Sequence, residues 1–146
     1  MALYLVVAHQ TAASDELIAM LQEIAAREHD PEFVLLVPAT PITHLLTWTE
    51  GESLEVARST ATEAARTLRA AGVNLIDTVI GAPDPLQAIQ SEHGFRTYAA
   101  TIISTLPLGA SHWLRRDLPS RVRAKLGVEV VHVISQAGVA RRRAVA

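Results

Sequence analysis

The sequence of 146 residues contains no cysteine, which excludes disulfide bonds and thiolate metal sites. Aromatic residues account for only 4% of the chain, whereas hydrophobic residues account for 49%. The core must therefore be built from Ala, Val, Leu and Ile, which suit closely packed layers of helix and sheet. No apolar run approaches the roughly 20 residues that a membrane-spanning helix needs. The segment MALYLVVAHQ also lacks the basic start and the cleavage site of a signal peptide, so a cytoplasmic protein is expected.

Lysine is almost absent: Lys125 is the only one, and all the other basic residues of the Lys and Arg type are arginines. Alanine is common too, and the two biases together are more typical of a genome's base composition than of selection for anion binding. The basic run from Arg141 to Arg143 is short and has no interleaved aromatic residues, so a nucleic-acid partner is not expected.

Short apolar runs alternate with helical patterns along the chain, which predicts parallel βαβ units. The predicted strands are residues 3–7, 33–37, 73–80, 98–103 and 128–134. The third is the least apolar, so we expect it at an edge of the sheet. The pattern favours an α/β fold with an open, doubly wound, five-stranded parallel sheet, strand order 3-2-1-4-5 and helices on both faces. Residues 1–135 are expected to form this single domain, and residues 136–146, which lack periodicity, a disordered basic tail.

Capping residues mark the helices between these strands. Ser14 is expected to cap the first helix and Asp84 the third, since their side chains can accept hydrogen bonds from the first backbone amides. Gly94 is expected to end the third helix. The last helix is expected to begin after Asp117 and to end at Gly127.

The segment from Thr101 to Val122 leaves a predicted strand and enters a loop rich in small hydroxyl residues. In an open parallel sheet, ligands bind where such loops leave the carboxyl ends of strands. The loop offers hydroxyl donors, a glycine that permits close backbone approach, and an arginine that could clamp a phosphate: Ser104, Thr105, Ser111, Gly109 and Arg115. The alternative is that Ser111 merely caps the next helix, that the arginines are solvated and that Trp113 packs beneath the helix.

A second polar group, His9, Gln10 and Thr11, follows the first strand beside the point where the strand order reverses. This position predicts a role at the ligand crevice, although an ordinary polar turn is an equal alternative. The full set of candidate ligand-binding residues is Ala8, His9, Gln10, Thr11, Val37, Ser104, Thr105, Leu106, Gly109, Ser111 and Arg115. No catalytic residue is expected, because the sequence has no nucleophile elbow, no glycine-rich phosphate loop and no metal-ligand spacing.

Three local signatures carry a resemblance to a known family. Residues 5–11 (LVVAHQT) stand where that family has a strand followed by Asp-Gly-Ser, and residues 81–89 (GAPDPLQAI) are similar to its Gly-Asp-Pro segment. Val122, Leu126, Gly127 and residues 130–134 match its last helix and strand. From Tyr4 to Ile134 the chain therefore resembles the universal stress proteins, which implies their fold and a regulatory role.

The chain departs from the phosphate-binding pattern of that family. ATP-binding members carry Gly-x2-Gly-x9-Gly-Ser/Thr after the fourth strand, whereas Ile103, Leu106, Arg116 and Asp117 occupy those positions here. The resemblance leaves the cofactor open: ATP or AMP would bind without the usual phosphate loop. The first interpretation is a stress-response or regulatory module that binds a nucleotide or small anion in altered mode. The alternative is a ligand-free interaction module. A homodimer through Val130–Ile134 is expected, since an exposed apolar edge strand requires cover.

Overall fold

The computed structural model describes residues 2–40, 50–107, 113 and 117–135. Strands and helices alternate through this part of the chain. The strands are β1 (Leu3–Val7), β2 (Glu32–Pro38), β3 (Leu75–Gly81), β4 (Ala100–Thr105) and β5 (Val130–Ile134). The helices are α1 (Asp15–Arg27), α2 (Glu50–Ala70), α3 (Pro85–Phe95) and α4 (Leu118–Leu126). The predicted tail at residues 136–146 lies outside the described residues, and the single-domain boundary at residue 135 stays a prediction.

The strands form a parallel sheet with the order β3-β2-β1-β4-β5, which confirms the predicted topology. Strand β1 lies at the centre, with Val7 level with Leu36 of β2 on one side and Ile103 of β4 on the other. The least apolar strand, β3, lies at one edge as predicted, and β5 lies at the other.

Alternate residues of the central strand enter different cores, because successive side chains of a strand point to opposite faces of the sheet. Tyr4 and Val6 pack in one core with Leu17 of α1 and the alanine stripe of α2. The other core holds Leu5 and Val7 together with the following residues of α3 and α4: Leu86, Ile89, Leu118 and Val122. Helices α1 and α2 therefore cover one face of the sheet, and α3 and α4 cover the other. Among the described residues, no helix is long and apolar enough to cross a membrane.

Several boundaries differ from the sequence prediction, including the start of β5, which is Val130 rather than residue 128. Strand β3 begins two residues later than predicted, since the Val73 amide donates to the carbonyl of Leu68 and helps to end α2. Gly94 does not end α3: the helix continues to Phe95, and the Arg96 amide completes its last turn. Strand β4 runs from residue 100 to residue 105, so its end lies beyond the predicted residue 103.

The starts of α3 and α4 differ in how they are capped. Asp84 accepts a hydrogen bond from the Leu86 amide at 3.2 Å, as a capping residue should. Asp117 precedes α4, which begins after it as expected, but Asp117 has a left-handed backbone (φ 52°) and makes no side-chain capping bond. Gly127 ends α4 in the left-handed conformation (φ 64°) that favours glycine.

Gly81, at the end of β3, lets α3 approach the sheet closely. A Cβ atom added at this residue would lie 2.6 Å from the Cβ of Ala88 and 2.9 Å from the Cδ1 of Leu36. The N-terminal half of α3 is thereby held against the carboxyl end of the sheet, next to the site described below.

Candidate functional site

The carboxyl ends of β1 and β4 form the point at which the sheet reverses its winding. The chain leaves β1 for α1 on one face of the sheet and leaves β4 for α4 on the opposite face. The connecting segments diverge here, which is the usual ligand position in open α/β sheets. We call this region the carboxyl edge, defined by residues 8–14 after β1, the end of β4 from Ser104, and Ser135 after β5.

A buried hydroxyl pair joins the two central strands at the carboxyl edge. The Oγ1 of Thr11 and the Oγ of Ser104 lie 2.6 Å apart, and their residues are only 3% and 1% exposed. The sequence placed Ser104 in a loop, whereas the structure places it inside β4. The pair shows that the two predicted polar groups, one after β1 and one after β4, do meet in space.

A second hydroxyl pair connects the start of α1 to the end of β5. The Oγ of Ser14 lies 2.7 Å from the Oγ of Ser135, and it also accepts a hydrogen bond from the Leu17 amide at 3.1 Å. Ser14 is thus the cap that the sequence predicted. Ser135 was missed, because a lone serine after a strand carries no sequence signal that it will face a helix cap.

His132 of β5 reaches the end of β4. Its Nε2 lies 2.8 Å from the Oγ1 of Thr105, and burial lowers the pKa of its imidazole, with a further contribution from nearby Arg123 and an opposing one from Asp117. The ring is therefore neutral at pH 7. His132 lies in the strand for which the sequence predicted a dimer contact, and this contact with a candidate site residue was not predicted.

His9 is the most unusual side chain at the carboxyl edge. It is 7% exposed, and neither ring nitrogen has a hydrogen-bond partner among the described residues. Burial lowers the pKa of its imidazole, against a smaller opposing effect of its own backbone, so the ring is neutral. Buried polar groups are normally paired, because each unpaired group forfeits its hydrogen bonds to water. A neutral imidazole offers one donor nitrogen and one acceptor nitrogen, which suits a ligand group that both accepts and donates.

Carboxylates occupy the helix ends that face this edge. Asp15 and Glu16 lie in the first turn of α1, Asp84 caps α3, and Asp117 precedes α4. The described parts of the segments that leave the strands' carboxyl ends contain no lysine or arginine. Arg115 and Arg116 lie outside the described residues, so the described part of the carboxyl edge carries no positive charge when its histidines are neutral.

The remaining candidate residues differ in burial. Ala8 and Val37 are buried, Leu106 is half-buried, and Gln10 is exposed. Gly109, Ser111 and Arg115 lie outside the described residues. Trp113 is buried with Leu118 and Val122, the packing role that the sequence favoured over stacking on a base. Within the described ranges, no group of His, Asp and Glu could hold a metal ion.

Comparison with solved structures shows a consistent likeness. A universal stress protein in complex with cAMP has a TM-score of 0.58 and 16% identity, over 90% of this chain and 96% of its own. An Arabidopsis thaliana universal stress protein family protein with AMP bound has a TM-score of 0.62 and 11% identity, over 94% of each chain. A universal stress protein from Archaeoglobus fulgidus has a TM-score of 0.59 and 15% identity, over 91% of this chain and 93% of its own.

Sequence comparison adds no closer relative, since no protein-family model and no curated protein matches the chain. At identities this low, a structural likeness establishes architecture and not activity. The strand order, the parallel pairing and the placement of helices on both faces all agree with that likeness. The chain has the fold of the universal stress proteins.

Proposed function

We propose that this protein is a regulatory module of the universal-stress-protein type that binds a nucleotide or small anion at the carboxyl edge. The observation that carries the proposal is His9, a buried imidazole with two unpartnered nitrogens that lies two residues before Thr11 of the Thr11–Ser104 pair. Similar structures hold AMP or cAMP, which supports a nucleotide as the ligand class. A stress-response role follows from the same likeness.

The binding mode differs from that of the family's ATP-binding members. Ile103 stands at the position of their first loop glycine and is fully buried in the core shared with α3 and α4. Leu106, at the second glycine position, is half-buried. Glycines at these positions would let backbone amides approach phosphates closely, and neither position is a glycine here, so we propose binding without a glycine-rich phosphate cradle.

Calorimetric titration with ATP, AMP and inorganic phosphate tests the proposal. We expect binding that Ser104→Ala weakens, since the substitution removes one hydroxyl of the buried pair. Ser91→Ala on the exposed surface of α3 is the matched control and should have no effect. Arg115→Ala tests a phosphate clamp, with exposed Arg66→Ala as its control. If none of the three compounds binds with a dissociation constant in the millimolar range or lower, the proposal fails.

A ligand-free dimeric interaction module is the second candidate, and one observation favours it. Strand β5 is an edge of the sheet, and Ile134 at its end is 45% exposed. An apolar edge strand invites pairing with another chain. We propose that residues Val130–Ile134 pair with a second copy, whether or not a ligand binds.

The opposite edge supplies a matched control for the dimer. Ile76 of β3 is also 45% exposed, so Ile134→Glu and Ile76→Glu place the same charge at equal exposure on opposite edges. Light scattering should show loss of the dimer for Ile134→Glu only. A monomeric unmodified protein, or equal loss in both variants, would contradict the assignment of the interface. We also propose a cytoplasmic protein with residues 1–135 as its single domain.

A further inference from the structure

We propose that the carboxyl edge recognises the uncharged nucleoside part of its ligand and gains little from phosphate. The inference rests on the proposed function and deepens it by naming the chemical group that is bound. Three features of the described residues carry it: the state of His9, the chemistry of the hydroxyl pairs, and the charges at the helix ends.

The protonation state of His9 favours an uncharged partner. Burial keeps its ring uncharged, and a neutral imidazole has one N–H donor and one acceptor nitrogen. Such a ring does not attract phosphate as a cation would, but it complements a group that both accepts and donates, such as a ribose hydroxyl or the edge of a purine. A ligand that pairs with the ring removes the cost of its two unsatisfied nitrogens.

The hydroxyls of Thr11 and Ser104 are neutral as well. They hydrogen-bond to each other, and only one of the two protons lies between the oxygens. The pair therefore keeps one further hydroxyl proton and spare lone pairs. Hydroxyl pairs of this kind match the alcohols of a sugar, which exchange donor and acceptor roles in the same way.

Two of the helix N-termini at the carboxyl edge, those of α1 and α3, already have a side-chain cap. Ser14 accepts from the Leu17 amide, and Asp84 accepts from the Leu86 amide. The Asp84 carboxylate offsets the positive end of the α3 dipole and would repel a second anion. The N-terminus of α4 has no side-chain cap, and Asp117 places a carboxylate immediately before it. These two carboxylates weaken the attraction of phosphate to the starts of α3 and α4.

Calorimetry with adenosine, AMP and ATP under identical buffers tests the inference. We expect the dissociation constants of adenosine and AMP to agree within about threefold, a difference below about 1 kcal/mol. Raising the salt concentration from about 50 to about 500 mM should change adenosine and AMP binding alike, because salt screens only charged contacts. Arg66→Ala, at an exposed position of α2, should leave adenosine binding unchanged.

The outcomes separate the two proposals. The inference is overturned if AMP or ATP binds tenfold or more tighter than adenosine, a difference of about 1.4 kcal/mol. It is also overturned if added salt weakens AMP binding but not adenosine binding. Either result leaves the proposed function standing. If adenosine, AMP, ATP and phosphate all fail to bind, the proposed function fails as well.

A spectroscopic measurement on the unaltered protein locates the contact. Nitrogen-edited NMR of the imidazoles should show adenosine shifting both ring nitrogens of His9, whereas His29, whose side chain is 93% exposed, should not move. Inorganic phosphate should shift neither ring. His9→Phe keeps a ring of similar size and should weaken adenosine binding about tenfold or more, a loss of about 1.4 kcal/mol or more. Adenosine binding that leaves the His9 signals unchanged would refute the contact, even if the variant does not fold.

Discussion

The hydroxyl pair between Thr11 and Ser104 offers a quantitative test of how the carboxyl edge is built. The two oxygens lie 2.6 Å apart, and both residues are almost wholly buried. Thr11→Val keeps the shape of the side chain but removes its hydroxyl, and Ser104→Ala removes the partner. Each single substitution leaves one polar group without its hydrogen bond, in a place that water reaches poorly.

The expected cost follows from this geometry. Leaving a buried hydroxyl unpaired costs about 1–3 kcal/mol of unfolding free energy, so each single variant should lose that amount. The double variant leaves no orphaned hydroxyl at this pair, so its loss should be smaller than the sum of the single losses. We expect a coupling energy of about 1–2 kcal/mol, in the range found for residues in direct contact.

Urea unfolding followed by far-ultraviolet circular dichroism measures all four free energies of the cycle. Additive losses, equal to the sum within about 0.5 kcal/mol, would refute the contact, because that is the behaviour of distant, independent residues. A Ser91→Ala variant on exposed α3 should change the stability by less than about 0.5 kcal/mol and controls for the loss of a serine as such.

Other substitutions test the packing and the buried polar groups. Gly81→Ala should cost about 1–3 kcal/mol because its Cβ would meet that of Ala88 at 2.6 Å. Gly94→Ala is the control: no atom lies within 4 Å of the Cβ that it adds, so it should stabilise helix α3 by about 0.5–1 kcal/mol. A loss of stability in this variant would contradict the placement of Gly94 inside a helix. Tyr98→Phe should cost about 1.5–3 kcal/mol, since its hydroxyl donates at 2.6 Å to a buried carboxylate, and a neutral result would argue against that bond. Stability should fall on acidification below pH 6.5, because burial lowers the pKa of His9 and the unfolded chain then binds more protons. His9→Gln should reduce the slope of the unfolding free energy against pH by at most about 1.4 kcal/mol per pH unit. If urea unfolding shows an unchanged slope, His9 is not the group responsible.

The architecture was largely predictable because it depends on local patterns. Apolar runs such as Leu3–Val7 alternate with helical periodicity, and a parallel sheet needs a crossover helix between neighbouring strands. The order of the strands and the edge position of β3 were predicted and confirmed. Boundaries were less predictable, since they depend on backbone contacts such as the bond from the Val73 amide to the Leu68 carbonyl.

The site was predictable in position and not in its internal contacts. Polar residues after β1 and β4 indicated the crevice, because the carboxyl ends of parallel strands meet at one edge. The partner of Ser104 could not be predicted, since Thr11 lies 93 residues away in the sequence. Ser135 and His132 were not included among the site residues, because their contacts with Ser14 and Thr105 arise only when β5 is added beside β4.

The sequence by itself determined the class of fold, the winding of the sheet and the absence of the family's loop glycines. These properties follow from the period of hydrophobicity and from the identity of residues at single positions, which need no knowledge of distant neighbours. Only the tertiary structure decided that His9 is buried without a partner and that two hydroxyl pairs connect β1, α1, β4 and β5. Burial and hydrogen bonding depend on segments far apart in the chain, and the packing of the sheet brings those segments together.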